Sequence, residues 1–184
     1  PMHWDLRAEV KESQPKPRQQ FLWLMDSSSH TISKWHPAML IATWFGSGLS
    51  RVAPGTCGSL AALPFAWFMA TVWGAPILIL AAGTMFCIGC VACKRVLPIL
   101  GEKDPQIIVV DEVAGQWLAL STAPLDPLYY GLSFVLFRVA DISKIWPASW
   151  ADRSLSGSLG VMLDDAISGI YAAIAVFMVV VIVG

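Results

Sequence analysis

The chain has 184 residues, of which 56% are hydrophobic and only 14% charged, and its formal net charge is −1. Its mean hydropathy is +0.62, whereas soluble domains usually carry about 25% charged residues. This composition argues against a soluble globular domain. Because basic residues are not in excess, we also expect no nucleic-acid partner. The fold class it predicts is an all-α polytopic membrane bundle.

The first 34 residues are polar and proline-containing, which predicts a mobile cytoplasmic N-terminal arm over residues 1–34. We expect one membrane domain over residues 35–184. Residues 35–45 are apolar but too short to span a bilayer, and they predict a short interfacial helix or a partly re-entrant segment.

The apolar stretches that follow predict about four to five membrane spans. Residues 52–93 contain no charged residue and no histidine, and this run is long enough for two passes divided at the Gly-Ala-Pro turn 74–76. Residues 107–122 and 127–140 are shorter candidates with charge near one end. Residues 166–184 form the last uncharged stretch.

Basic residues predict the orientation of these spans. The connections 74–76 and 123–127 contain no Lys or Arg. By the positive-inside rule they face outward, and the N-terminus and the basic loops face the cytoplasm. The basic residues of those loops are Lys94, Arg95, Lys103, Arg138, Lys144 and Arg153.

An acid pair, Asp111 and Glu112, interrupts the otherwise uncharged run 107–120. An ionised acid at membrane depth is costly, and two adjacent acids disfavour each other's ionisation. We therefore expect a positive partner nearby. Gly115 lies one turn beyond Asp111 and is expected to permit close helix approach.

Two further polar segments are candidates for the same site. The Gly- and Ser-rich segment 46–60 contains Arg51 and Thr56, and its backbone N–H groups are suited to an anion if a helix starts near Ser59. A plain glycine-rich turn is the alternative interpretation.

The last polar segment, 138–165, begins with Arg138, Asp141 and Lys144 at a spacing that predicts one charged helix stripe. Asp164 and Asp165 repeat the acid pair where the last span begins. The alternative interpretation is that these charges only pair with one another near the membrane interface. As a group, such carboxylates suit Mg²⁺, and Arg and Lys suit phosphate. The pattern indicates an enzyme that acts on a phosphate at the lipid headgroup level.

Three segments of the chain, 52–64, 103–115 and 137–169, resemble the phosphatidylglycerophosphatase A family in the family's order. The resemblance implies an all-helical fold, Mg²⁺ dependence and a bacterial cytoplasmic (inner) membrane location. The orientation predicted from the basic residues then has the active site facing the cytoplasm. The implied substrate is phosphatidylglycerophosphate. The chain departs from the family pattern in its longer N-terminal arm and in Ile145, where a proline is expected after Lys144.

Our hypothesis is metal-assisted hydrolysis of this lipid to phosphatidylglycerol and inorganic phosphate. The predicted catalytic and metal-binding residues are Asp111, Glu112, Asp141, Asp164 and Asp165. The predicted phosphate-binding residues are Arg51, Thr56, Lys103, Arg138, Lys144 and Arg153. The number of metal ions, the general base and a covalent aspartyl-phosphate route are left open.

Two other functions compete with this hypothesis. A CDP-alcohol phosphotransferase also uses acids and a metal at the membrane surface, but the spacing of acids over residues 141–165 does not match its motif. A small cation transporter usually places its acids near the bilayer midplane, whereas these acids lie at predicted helix ends. We expect no obligate protein partner.

Overall fold

The computed structural model describes residue 33, residues 35–101 and residues 105–183. These residues form seven α-helices and one 3-10 helix and contain no strand, which confirms the all-α prediction. The expected arm over residues 1–34 lies outside the described residues apart from residue 33. The helices are α1 (Pro37–Ala42), the 3-10 turn (Ser47–Leu49), α2 (Pro54–Trp73), α3 (Ile77–Leu100), α4 (Val110–Leu120), α5 (Pro127–Ser143), α6 (Ala148–Ser154) and α7 (Ser158–Val183).

Three helices of the described chain, α2, α3 and α7, are long and apolar enough to cross a membrane. This is fewer than the four to five spans expected. Helix α4 has 11 residues, which reach only about 16 Å at the α-helical rise, about half the hydrocarbon thickness. Helix α5 has 17 residues and carries charged residues in its last two turns, so its apolar part is shorter still.

The outward faces of the long helices are apolar. Leu80 and Val91 on α3 and Ile174 and Ile182 on α7 are each more than half exposed. A soluble monomer rarely exposes so continuous an apolar surface. Lipid acyl chains are the medium that this surface suits.

Helix α4 lies at the centre of the bundle, in contact with α2, α3, α5 and α7. Helix α2 contributes the buried residues Ala62, Ala66 and Ala70 to the core cluster that includes Trp117 of α4. Their small side chains allow the two helices to approach closely. The Trp117 indole N–H donates a hydrogen bond to the Ala62 carbonyl at 3.1 Å, which joins α4 to α2.

Helices α4 and α7 cross almost backbone to backbone at Gly115 and Gly169. A methyl group at Gly115 would lie 2.6 Å from the Asp165 carbonyl oxygen, and one at Gly169 would overlap the Gly115 backbone. The expected role of Gly115 in close helix approach is therefore confirmed. Since Asp111 precedes Gly115 by one turn and Asp165 precedes Gly169 by one turn, the crossing brings the two acids together.

Candidate active site

A polar cavity of about 360 Å³ opens at the end of the bundle where α2 and α4 begin and α5 ends. Five acids and two basic residues line it, and all seven are among the predicted site residues. Its lining residues are Ala53, Pro54, Gly55, Gln106, Ile108, Asp111, Glu112, Arg138, Asp141, Lys144, Asp164 and Asp165.

Three of the acids form a group that could hold a metal ion. One carboxylate oxygen from each of Asp111, Glu112 and Asp165 lies within 4.8 Å of the others. Asp111 and Asp165 are buried, and Asp111 accepts a hydrogen bond from the Glu112 backbone N–H at 3.1 Å. Glu112 Oε2 is buried without a hydrogen-bond partner among the described residues. Clustered hard oxygen atoms with unused acceptor capacity fit a divalent cation such as Mg²⁺. We call this set the three-acid group.

Burial controls the protonation of Glu112. It raises the pKa of this carboxyl from 4.5 to about 8, because a charge is less stable where water is excluded. The neighbouring carboxylates of Asp165 and Asp141 add to the rise, while a hydrogen bond with Asp111 and the charge of Arg138 oppose it. A cation at the three-acid group would favour the ionised form.

The other two acids of the cavity pair with its basic residues. Arg138 Nη1 lies 2.7 Å from Asp141 Oδ2 and 3.9 Å from Glu112 Oε1. Lys144 Nζ lies 2.6 Å from Asp164 Oδ2 and 3.0 Å from Asp152 Oδ1. The five predicted acids therefore divide into the three-acid group and two acids that hold cations in place.

Lys144 reaches the cavity through an unusual backbone turn. Helix α5 ends at Ser143, and Lys144 follows with a φ of 42° in the left-handed region, which is costly for a residue with a side chain. The predicted stripe therefore holds only for Arg138 and Asp141. Partial burial lowers the pKa of Lys144, but its bonds to Asp164 and Asp152 outweigh that effect and raise the pKa. Lys144 is a fixed cation on the cavity wall.

The glycine-rich segment forms another wall of the cavity. Helix α2 begins at Pro54 rather than near Ser59 as expected, because proline is well suited to the first helical position. A methyl group at Gly55 would overlap Glu112 Oε1 and lie 3.2 Å from Arg138 Nη1. A side chain at position 55 would therefore displace the Glu112 carboxylate from its place beside Arg138.

Not every predicted residue lies on the cavity wall. Arg51 and Arg153 are exposed and Thr56 is half-buried, and none of the three lines the cavity. Lys103 lies outside the described residues, so its role stays a prediction. Gln106 lines the cavity but was not predicted. Its sequence signal was a polar residue placed just before the apolar run that leads to Asp111.

A helical membrane bundle whose carboxylate cluster faces Arg and Lys is suited to the class of membrane enzymes that act on phosphate esters. Within that class, the chain belongs to the phosphatidylglycerophosphatase A family, whose sequence model matches residues 40–180. Its members are phosphatases.

Curated relatives agree with this assignment. Phosphatidylglycerophosphatase A of Escherichia coli is 41% identical over 142 residues, which cover 76% of this chain and 79% of the relative. The Haemophilus influenzae protein of the same name is 36% identical over 80% of this chain and 91% of the relative. A Bacteroides thetaiotaomicron relative, named as a candidate phosphatidylinositol-3-phosphatase, is 34% identical over 75% of this chain and 90% of the relative. No solved structure matches the chain.

Proposed function

We propose that the protein hydrolyses phosphatidylglycerophosphate to phosphatidylglycerol and inorganic phosphate, using Mg²⁺ at the three-acid group. The observation that carries the proposal is the arrangement of one cavity, in which Asp111, Glu112 and Asp165 face Arg138 and Lys144. Family membership and the names of two curated relatives supply the substrate.

Each part of the cavity has a distinct task in this reaction. When bound, Mg²⁺ supplies positive charge that orients the phosphate and makes water a stronger nucleophile. The three-acid group would hold the cation. Arg138 and Lys144 offset the negative charge on the phosphoryl oxygens. Asp141 and Asp164 fix the directions of those two cations through their ion pairs.

The reaction balances with water as the only co-substrate. The water oxygen bonds to phosphorus, and the bond between phosphorus and the terminal glycerol oxygen breaks. A carboxylate of the cavity takes a proton from water and returns it to the departing oxygen. If an aspartate attacked phosphorus first, rapid acid quenching during turnover would trap phosphate on the protein.

We place the cavity at the cytoplasmic face of a bacterial membrane. Support comes from Lys94, Arg95 and Arg153, which lie with Arg138 and Lys144 towards the cavity end, whereas turns 74–76 and 123–126 at the other end carry no Lys or Arg. A single cysteine at Arg153, in a cysteine-free background, should react with an impermeant maleimide in inside-out vesicles. Labelling only in right-side-out vesicles would reverse the orientation.

The substrate is tested by phosphate release from the purified protein in mixed micelles with Mg²⁺. We expect release from phosphatidylglycerophosphate and at least about 100-fold less from phosphatidylinositol-3-phosphate at equal concentration, because a site selects through differences in transition-state binding. Faster release from phosphatidylinositol-3-phosphate would assign the chain to the function named for the Bacteroides relative.

A further inference from the structure

A second, apolar groove lies between α1 and α3, away from the polar cavity. Its more enclosed part is a recess of about 310 Å³ that shares no lining residue with the polar cavity. Seven of its eight lining residues are uncharged, and Arg95 is the single charged one. The lining residues are Pro37, Ala38, Ile41, Cys87, Ile88, Val91, Ala92 and Arg95.

The recess continues along α3 towards the opposite end of the bundle. A shallower apolar recess is lined by Pro76, Ile79, Leu80, Gly83, Thr84 and Cys87, and Cys87 belongs to both. Together they follow one helix face from residue 76 to residue 95, which we call the α3 groove. At the α-helical rise this stretch is about 28 Å long, close to the roughly 30 Å hydrocarbon thickness of a bilayer.

Within the α3 groove, the part between Thr84 and Arg95 has the length of one leaflet. Eleven residue steps correspond to about 16 Å along the helix, or about half the hydrocarbon core. Arg95 stands at the end of this stretch nearest the polar cavity, where the headgroups of the same leaflet lie. A groove of this length with a cation at the headgroup end matches a single phospholipid.

The charge of Arg95 is available for a ligand in the described structure. The residue is exposed, and no carboxylate within residues 35–101 and 105–183 lies within 4.0 Å of its guanidinium. A guanidinium binds phosphate oxygens in a fixed two-pronged geometry. Lys94 is also exposed but does not line the groove.

We propose that the α3 groove binds one anionic phospholipid of the bilayer, with its phosphodiester on Arg95 and an acyl chain along Val91, Ile88 and Thr84. This groove and the polar cavity share no lining residue. The bound lipid is therefore a resident lipid and not the molecule being hydrolysed.

A second copy of this chain fits the groove less well. Two copies related by a two-fold axis along the membrane normal would place both Arg95 side chains at the same depth, facing each other. Like charges at close range repel, especially where little water is present. The lipid phosphate instead supplies the opposite charge.

Native mass spectrometry of the purified full chain in detergent tests the proposal with two added lipids. We expect dioleoyl phosphatidylserine, an anionic lipid that is neither substrate nor product of the proposed reaction, to bind more tightly than dioleoyl phosphatidylcholine, which has the same acyl chains and no net charge. Arg95→Gln should weaken phosphatidylserine binding about fivefold, the effect of one basic residue at an anionic lipid surface. Lys94→Gln is the matched control and should leave binding unchanged. The readout is binding, so the result does not depend on activity.

Equal losses in Arg95→Gln and Lys94→Gln would overturn the proposal, because they would indicate diffuse surface attraction. Equal binding of the two lipids to the unaltered protein would overturn it as well. Ile88→Trp fills the recess while keeping Arg95, and it should displace the lipid from a protein that still elutes as one species in gel filtration. Lipid binding that persists in that variant would overturn the proposal. A disulfide between the Cys87 residues of two chains of the unaltered protein would indicate that the groove is a self-association surface instead.

Discussion

The two ends of the helical bundle differ in their buried charge and in their backbone conformation. At the cavity end, four ion pairs converge, and Ala53 and Lys144 adopt positive φ angles. At the opposite end, short turns join the helices, and Asp126 caps α5 by accepting a hydrogen bond from the Leu128 N–H at 2.8 Å. The first end carries strain and buried charge, and the second follows ordinary turn and capping chemistry. The candidate functional residues are therefore concentrated at the end where residues depart from ordinary backbone and burial preferences.

The largest expected difference between the ends concerns the acids. Asp111→Asn removes a carboxylate of the three-acid group, and we expect phosphate release to fall on the order of a thousandfold, because the cation and the reacting groups lose their alignment. Asp126→Asn makes the same chemical change at the opposite end and should keep nearly full activity. Similar losses in both variants would show that the ends do not differ in function.

Arg138 and Arg153 extend the comparison to the cations. Arg138→Gln should lower kcat about 100-fold, because this guanidinium lines the cavity and offsets phosphoryl charge. Arg153→Gln is the control, since Arg153 is exposed and does not line the cavity. Steady-state phosphate release by the two variants gives the kcat values to be compared. A larger loss in Arg153→Gln would move the phosphate site away from the cavity.

The contact between Gly55 and Glu112 is tested by adding one methyl group. Gly55→Ala should reduce activity at least about tenfold, because the new Cβ displaces the Glu112 carboxylate by a fraction of an ångström or more. Gly131→Ala is the matched control, since a Cβ there meets no atom within 4 Å. It should stabilise α5 by about 0.5–1 kcal/mol. Unchanged activity in Gly55→Ala would show that the carboxylate position is not critical.

Burial of the Glu112 carboxylate should lower the stability of the metal-free protein, although the same carboxylate is needed to bind the cation. Its folded pKa of about 8 lies above the ordinary 4.5, so the metal-free protein loses stability as the pH rises from 4.5 through 8. In EDTA at pH 8, Glu112→Gln should therefore raise the Tm by several degrees, because the neutral amide avoids the cost of a buried carboxylate. The gain should vanish near pH 5 and reverse in Mg²⁺, because only the carboxylate binds the cation. Thermal unfolding in detergent gives both values, and a lower Tm at pH 8 in EDTA would contradict this account.

The smallest effect is expected for the helix cap. Asp126→Ala removes the side-chain oxygen that accepts from Leu128 and should cost about 1 kcal/mol of stability. Activity at 25 °C should stay unchanged, because Asp126 is on a connection at the end of the bundle opposite the cavity. A measurable fall in kcat without unfolding would show that the two ends of the bundle are functionally coupled.

Much of the bundle could be predicted from the sequence because apolar length and turn residues are local signals. The uncharged run 52–93 predicted two helices, and the turn at 74–76 lies between α2 and α3 as expected. The bounds of helices α4 and α5 were harder to predict from the sequence. Their apolar runs resembled spans, but where a helix actually begins and ends depends on packing, and α4 proved to have only 11 residues.

The candidate site was partly predictable for a similar reason. Charges inside apolar runs, such as Asp111 and Asp165, are informative because their burial is expensive. Arg51 and Arg153 carry charge in exposed segments where charge has little cost, so sequence alone could not separate them from Arg138. The division of the acids into the three-acid group and the ion-paired acids depends on the crossing at Gly115 and Gly169, which only the structure reveals.

The proposed activity depends most directly on a cation at the three-acid group. Phosphate release from phosphatidylglycerophosphate should be measured with the purified protein after EDTA treatment and again after titration with Mg²⁺. We expect activity to be lost in EDTA and restored by Mg²⁺, with no restoration in Asp111→Asn at the same concentrations. Full activity of the unaltered protein in EDTA would contradict the central claim.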